Sequence, residues 1–93
     1  MVIGILTVRL AIPGANSLKD KRQVVKSLLD GVRRKFNISA AEIGDNDTWR
    51  RATLGMACVS NDRRMANRIL DKVADFIESH PVSSVESVNL EFV

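Results

Sequence analysis

The sequence predicts an α+β fold in which strands and helices follow one another in the order β-α-β-β-α-β. Three observations support this prediction. Two stretches carry apolar residues at helical spacing, four shorter stretches have the composition of strands, and turn-forming residues separate them. The 93 residues are enough for one domain, 1–93, with a hydrophobic core of its own.

The first half of the chain contains a strand, a helix and a second strand. A β-branched apolar run predicts strand one over Val2–Ile12, and the turn signal Pro13-Gly14 ends it. This run contains Arg9 and no basic segment precedes it, which favours a strand over a secretory signal peptide. Ser17–Phe36 predicts helix one, because a capping residue begins it and apolar residues then recur every three or four positions. Strand two is predicted over Ile38–Gly44.

The second half repeats the order strand, helix, strand. A turn at Asp45–Asp47 leads into strand three, predicted over Ala52–Val59. Helix two is predicted over Met65–Ile77, and His80-Pro81 ends it because proline disfavours helix in the residue before it. Strand four, Val85–Val93, alternates apolar and polar residues.

This order of elements is that of the ferredoxin-like fold. It predicts a four-stranded antiparallel sheet in the order 4-1-3-2, with both helices on one face. The residues expected in the core are Leu6, Val8, Leu10, Val25, Leu28, Val32, Leu54, Met56, Ile69, Val73, Phe76, Val88 and Leu90. The topology also brings the start of helix one and the hairpin between strands two and three to the same end of the sheet.

The other sheet face is expected to remain open. By alternation it presents Ile3, Ile5, Thr7, Arg9 and Ala11, then Thr53, Gly55, Ala57 and Val59, then Val85, Ser87, Asn89 and Glu91. An RNA-recognition motif would carry aromatic residues on strands one and three, and this face has none. Its flat and partly apolar character indicates a partner protein or a second copy of the chain.

The net charge of +3 is unevenly distributed. Residues 17–36 contain seven Lys or Arg and two Asp, a net charge of +5, so the rest of the chain carries −2. Four of the cations form one stripe beside the apolar face of helix one: Lys19, Arg22, Lys26 and Arg33. Such a stripe is either a solvated helix face or a contact surface for an anionic partner. Lys19, Lys21 and Arg22 lie in the first turns, where positive charge opposes the helix dipole, and a bound anion would relieve that placement.

The predicted hairpin adds aromatic and basic side chains at the same end of the sheet. Trp49 beside Arg50 and Arg51 suits stacking on a base while the guanidinium groups contact phosphates. Alternatively, Trp49 covers the open end of the core. The candidate nucleic-acid-binding residues are Lys19, Lys21, Arg22, Lys26, Trp49, Arg50 and Arg51. Arg63 and Arg64, at the start of helix two, are a secondary candidate, unless they pair with Asp62.

No residue set has the composition of a catalytic or metal site. His80 is the only histidine and Cys58 the only cysteine, too few for a zinc site of standard ligand spacing. Acylphosphatases share the predicted fold, but the loop Pro13–Asn16 lacks the arginine that they need. We therefore expect a non-enzymatic protein without metal or cofactor. A single cysteine and no apolar run of membrane-spanning length predict a cytoplasmic protein that does not associate with membranes.

Three segments carry a resemblance to a known family. SLKDKR (Ser17–Arg22), RRKFNISAAEI (Arg33–Ile43) and DTWRRATLGMACVSND (Asp47–Asp62) resemble the YlxP-like family, domain of unknown function 503. The resemblance runs along the whole chain, with the motifs in the same order. The family pattern falls on Ser17, Lys19, Lys21, Arg22, Asp47, Trp49 and Arg51, and Asn16 stands where the family would have His.

The resemblance implies a small bacterial ferredoxin-like protein, often encoded beside ribosome-maturation and translation-initiation factors. Combined with the basic residues, it leads to the hypothesis of an RNA-binding or ribosome-associated accessory protein. Ribosomal or other structured RNA would be the partner. The alternative is a homodimeric protein-interaction or small-ligand-binding module that uses the open sheet face.

Overall fold

The computed structural model describes residues 1–93 and contains the six elements in the predicted order. Each element begins and ends within two residues of its predicted position. They are β1 (Val2–Ala11), α1 (Leu18–Lys35), β2 (Ser39–Gly44), β3 (Arg51–Ser60), α2 (Arg63–Glu78) and β4 (Ser84–Phe92). Neither helix has both the length and the apolar character that crossing a membrane requires.

The four strands form one antiparallel sheet in the order β2-β3-β1-β4, which is the predicted order viewed from its other edge. β1 lies in the centre and pairs with β3 from Val2 opposite Ser60 to Ala11 opposite Arg51. β4 flanks β1 on its other side, and β2 flanks β3. The ferredoxin-like fold predicted from the order of elements is therefore confirmed.

The core lies between the helices and one sheet face. Alternate residues of β1 and β3 meet the buried residues of α1 and α2 in one cluster. Most of the predicted core is confirmed, although Ile69, Phe76 and Leu90 are only partly buried against it. The prediction for Val88 is wrong. Val88 lies opposite Val8, but on the edge strand it remains 43% exposed.

The residues of β1 and β3 on the open face are those predicted, but the residues of β4 on this face differ from the prediction. The pairing of β1 with β4 shifts between Arg9, which faces Ser87, and Leu10, which faces Val85. Glu86 is the extra residue of this β-bulge. Because of it, Val85 turns to the helix side and packs against the core, so its expected place on the open face is wrong.

Close packing between the helices sets the orientation of α1. A Cβ atom on Gly31 would lie 2.8 Å from Cζ of Phe76, so this side of α1 rests directly against α2. Phe36 packs edge-on against Phe76, with ring centroids 6.1 Å apart. On the opposite flank, Arg33 of α1 donates a hydrogen bond to the backbone carbonyl of Ala40 in β2. The flank of α1 that carries Arg33 therefore lies beside β2.

Candidate nucleic-acid interface

α1 begins with the predicted cap. The Ser17 hydroxyl accepts a hydrogen bond of 3.0 Å from the backbone N–H of Asp20. The Asp20 carboxylate in turn accepts one of 3.0 Å from the backbone N–H of Asn16, the residue before the cap. These contacts fix the path of the chain into α1. They also place a negative charge in the first turn, which offsets part of the positive charge there.

Lys21 is fully buried at the junction between α1 and the loop Asp45–Arg50, which we call the hairpin loop. Its ammonium group donates to the backbone carbonyls of Asp45 at 2.6 Å, Arg51 at 3.2 Å and Asn46 at 3.3 Å. An ammonium has three N–H bonds, so these carbonyls use all of them. Oε2 of Glu42 lies 2.8 Å from the same nitrogen without hydrogen-bond geometry, and it compensates the charge.

Lys21 is consequently part of the scaffold. A side chain with no exposed surface and no free N–H has nothing to offer a phosphate. Its assignment as a nucleic-acid contact is wrong, and the same holds for the expectation that it adds to an anion site at the start of α1. The residues missed from the sequence are the acceptors around it, Glu42 and Asp45.

Arg50 fastens the other end of the hairpin loop. Its Nε donates to the backbone carbonyl of Ala15 at 3.0 Å, and its terminal nitrogen lies 3.4 Å from Oδ1 of Asn16. Its own carbonyl accepts a hydrogen bond of 2.8 Å from the backbone N–H of Ile12. Arg50 therefore ties the loop to the β1–α1 connection, and part of its guanidinium group is already engaged.

The turn at the start of the hairpin loop is built on Asp45. Its φ of 60° lies in the left-handed region, which Asp adopts more readily than most residues. The Asp45 carboxylate accepts a hydrogen bond of 2.7 Å from Oγ1 of Thr53, and its carbonyl accepts one of 3.1 Å from the backbone N–H of Thr48. With Lys21 and Arg50, these bonds hold the loop in one position.

Trp49 lies on this fixed loop, and Arg51 is the first residue of β3 directly after it. Trp49 is 51% exposed and belongs neither to the core nor to the side chains packed against it. It therefore does not cover the end of the core, which was the alternative interpretation. The Arg51 side chain is exposed, and the only acidic group near it is Glu86 at 3.9 Å. An exposed indole and a largely free guanidinium thus lie two residues apart in the chain at this end of the sheet.

The basic stripe of α1 divides into free and paired cations. Lys19 and Arg22 are exposed and have no acidic oxygen within 4 Å. Lys26 donates a hydrogen bond of 2.8 Å to Asp30, and this bond holds the pKa of the Asp30 carboxyl below its ordinary value. The second cation beside Asp30 is Arg33, at 3.8 Å.

The first turns of α1 and the hairpin loop lie at the same end of the sheet. The stripe runs along the flank of α1 that faces β2, as the bond from Arg33 to Ala40 shows. β2 leads directly into the hairpin loop, and Lys21 holds that loop against the first turns of α1. The predicted proximity of these two segments is confirmed.

A second basic group lies at the opposite end of the sheet, where α2 begins. Arg63, Arg64 and Arg68 line an open groove there, and the Arg63 guanidinium stacks 4.6 Å from the centroid of the Phe92 ring. Asp62 caps α2 by accepting a hydrogen bond of 2.9 Å from the backbone N–H of Arg64. It forms no ion pair with the arginines within 4 Å.

Solved structures with a similar fold include a de novo designed ferredoxin-fold protein and the structural-genomics protein YJCS. The designed protein superposes with a TM-score of 0.58 at 13% identity, covering 100% of this chain and 84% of its own. YJCS superposes with a TM-score of 0.53 at 14% identity and 96% coverage of both chains. At these identities the similarity concerns the fold alone.

Sequence comparison is more specific. "Uncharacterized protein YlxP" of Bacillus subtilis (strain 168) is 44% identical over 80 residues, which are 86% of this chain and 87% of that protein. The family described as "Protein of unknown function (DUF503)" matches residues 3–91. The chain belongs to the DUF503 family.

Proposed function

We propose that this protein is a non-enzymatic accessory protein that binds ribosomal or other structured RNA in the cytoplasm. The observation that carries the proposal is the construction of the hairpin loop. Lys21 and Arg50 use their charges to fix the loop, while Trp49 on the loop and Arg51 directly after it remain exposed. Because the loop backbone is already fixed, little backbone entropy is lost when a base stacks on Trp49.

The neighbouring cations supply the phosphate contacts. Lys19 and Arg22 have no intramolecular ion pair, so an RNA phosphate displaces no carboxylate when it binds them. Arg51 adds a third contact next to Trp49. Lys26 contributes less, because it must first leave Asp30. Counterion release at such contacts drives binding in low salt.

Stacking on Trp49 selects the kind of RNA. Bases inside an A-form duplex are covered by their neighbours, and the deep major groove keeps side chains from their edges. A protruding indole instead meets bases that are splayed out in loops, bulges or single-stranded ends. The preferred target is therefore an unpaired base flanked by the phosphates of a folded RNA.

Charge reversal at the hairpin end tests the proposal. Arg22→Glu with Arg51→Glu should abolish binding to purified bacterial ribosomal RNA at moderate salt, measured by fluorescence anisotropy, and leave the circular dichroism spectrum unchanged. Each lost phosphate contact should also lower the slope of log affinity against log salt by about one unit. The proposal fails if the unmodified protein does not bind this RNA.

The matched control reverses Arg64 and Arg68, which lie at the far end of the sheet. Arg63 is spared, because its packing on Phe92 gives it a structural role. Arg64→Glu with Arg68→Glu makes the same change in net charge and should retain most of the affinity. Equal loss from the two pairs would show that the attraction is diffuse and that the hairpin end is not the contact site.

The chain contains a single tryptophan, so its fluorescence reports on Trp49 directly. A short RNA hairpin with an unpaired loop should quench this fluorescence, and a blunt duplex of equal charge should quench it much less. Trp49→Ala should weaken binding to the looped RNA by about 1–3 kcal/mol, the usual contribution of one stacked base. Equal quenching by both RNAs would contradict a stacking role.

A further inference from the structure

A continuous group of apolar side chains remains uncovered on the open sheet face. Ile3 forms the middle of a row with Val59 of β3 on one side and Val93 on the other, where two backbone hydrogen bonds of 2.9 Å join it to Val93. Val59 is 67% exposed, and Val93 is exposed as well. Ile5 and Ala57 form the next row along the same strands.

The apolar group extends to the edge strand β2. Ile43 is exposed and leans over Gly55, where a Cβ atom would lie 2.9 Å from Cδ1 of Ile43. An apolar hollow on this side of the sheet is lined by Ile43, Ile5 and Ala57 among others. Both helices occupy the other face, so nothing in the chain covers these side chains.

The two central strands are complementary to each other in size. In four successive rows the residue on β1 is larger than its partner on β3. The pairs are Ile3 with Val59, Ile5 with Ala57, Thr7 with Gly55, and Arg9 with Thr53. A two-fold axis parallel to the strands, between β1 and β3, would set β1 of one copy over β3 of the other. Ile3, Ile5 and Arg9 would then each face a smaller residue, whereas Thr7 would meet Ile43, which leans over Gly55.

We propose that the open face binds a second copy of this chain, with the two sheets packed face to face about that axis. Such an interface is isologous, because the same surface serves both copies. The strands of the two sheets would lie within about 30° of each other, as in other aligned sheet packings. This inference does not depend on RNA binding.

The size of the face is sufficient for a specific contact. Four strands spaced about 4.8 Å apart and about 30 Å long give a footprint of about 570 Å² per copy, or about 1,100 Å² in total. Specific interfaces with good complementarity exceed about 1,000 Å² in total. The face therefore reaches the lower end of the range for a stable dimer.

The outer strands place a polar pair at the rim. The axis that sets β1 over β3 also sets β2 of one copy over β4 of the other. Ser39 and Glu91 belong to the same row as Ile5 and Ala57, so the Ser39 hydroxyl of one copy faces the Glu91 carboxylate of the other. A hydroxyl can donate a hydrogen bond to that carboxylate, so the charge is not left without a partner.

Sedimentation equilibrium of the full chain tests the proposal. The unmodified protein should sediment as a dimer at about 100 µM, a concentration that also detects micromolar Kd values. Val59→Asp should weaken the dimer at least tenfold, because each dimer then contains two unpaired carboxylates in its apolar part. Val82→Asp is the control, since Val82 is 52% exposed in the loop before β4, and it should leave the dimer unchanged. A monomeric unmodified protein, or equal effects of the two substitutions, would overturn the proposal.

A size exchange tests the position of the axis without adding charge. Ile5→Ala alone should weaken the dimer by leaving a hollow opposite Ala57, and Ala57→Ile alone should weaken it by crowding Ile5. The double variant restores a large residue facing a small one across the axis, so it should recover the dimer. Circular dichroism and thermal unfolding verify that each variant is folded. A double variant that is no tighter than the two single variants would rule out this axis.

Discussion

At the scale of single residues, Lys21 shows how a charged side chain can belong to the interior. It occupies the same stripe of α1 as Val25, Leu28 and Val32, which are core residues. Its aliphatic part continues that apolar stripe, and its ammonium group reaches the carbonyls of the hairpin loop. Lys21 precedes the core residues Val25, Leu28 and Val32 by four, seven and eleven positions. This helical spacing indicates a buried position, and it predicts the place of Lys21 better than its charge does.

Replacing Lys21 should therefore destabilise the fold. Lys21→Met keeps the length of the side chain but leaves Glu42 unpaired and removes the donor to three carbonyls. Breaking a buried charge pair from one side costs about 3–5 kcal/mol, and we expect a loss of unfolding free energy in that range by urea denaturation. Lys19→Met, on the exposed stripe, should change it by less than about 0.5 kcal/mol.

Adding Glu42→Gln to Lys21→Met should recover part of the loss, because the unpaired carboxylate disappears. A loss below about 1 kcal/mol for Lys21→Met alone would contradict a scaffold role. Lys21 would then again be a candidate for direct contact with a partner.

At the scale of elements, the contact between β1 and α2 depends on a glycine. Gly4 lies on the helix side of β1, opposite Cys58, and Leu70 of α2 packs directly onto its backbone. A Cβ atom at this position would lie 2.7 Å from Cδ1 of Leu70, which is fully buried in the core. The absence of a side chain therefore sets how closely α2 approaches the sheet.

Gly4→Ala should destabilise the protein, although alanine in place of glycine within a strand normally helps. Overpacking of a filled core costs about 1–3 kcal/mol, more than the backbone entropy that alanine saves. Chemical denaturation measures the change, and Leu70→Val in the same chain should relieve part of it. Gly14→Ala is the control. It has open space around it and no positive φ, so it should be neutral or stabilising by up to about 1 kcal/mol.

At the scale of the whole molecule, the two proposals combine into one arrangement. A two-fold axis parallel to the strands leaves the ends of the sheet where they are, so both hairpin loops of a dimer point in the same direction. The two hairpin loops, each with its Trp49, would then form one extended surface, and Arg51 would lie in the last row of the interface. Two contact sites joined in one particle raise the affinity for an RNA that spans both, without any new contact.

This arrangement predicts that the contribution of the dimer to affinity depends on the length of the RNA. Val59→Asp, which should separate the copies, should weaken binding to intact ribosomal RNA by at least about tenfold through loss of the second site. Its affinity for a short RNA hairpin that occupies one copy should stay unchanged. Anisotropy titrations with both RNAs measure the difference. Equal affinity of Val59→Asp and the unmodified protein for intact ribosomal RNA would show that the copies bind independently.

The sequence by itself determined the order of elements, their limits and most of the core. Those features follow from local patterns, since apolar spacing, the Ser17 cap and the turn residues act within a few positions of the chain. It also determined that the start of α1 and the hairpin loop meet, because the topology follows from the order of elements.

Only the tertiary structure decided what each basic side chain does. Lys21, Arg50 and Arg51 look alike in sequence, yet the first is buried among carbonyls, the second ties two loops together and the third remains free. The bulge that turns Val85 inward is likewise invisible in the alternation of β4. The physical reason is the same in both cases. The basic side chains are placed by hydrogen-bond acceptors that are distant in the chain, and Val85 is placed by the pairing register with β1. Neither cause leaves a signal in the neighbouring sequence.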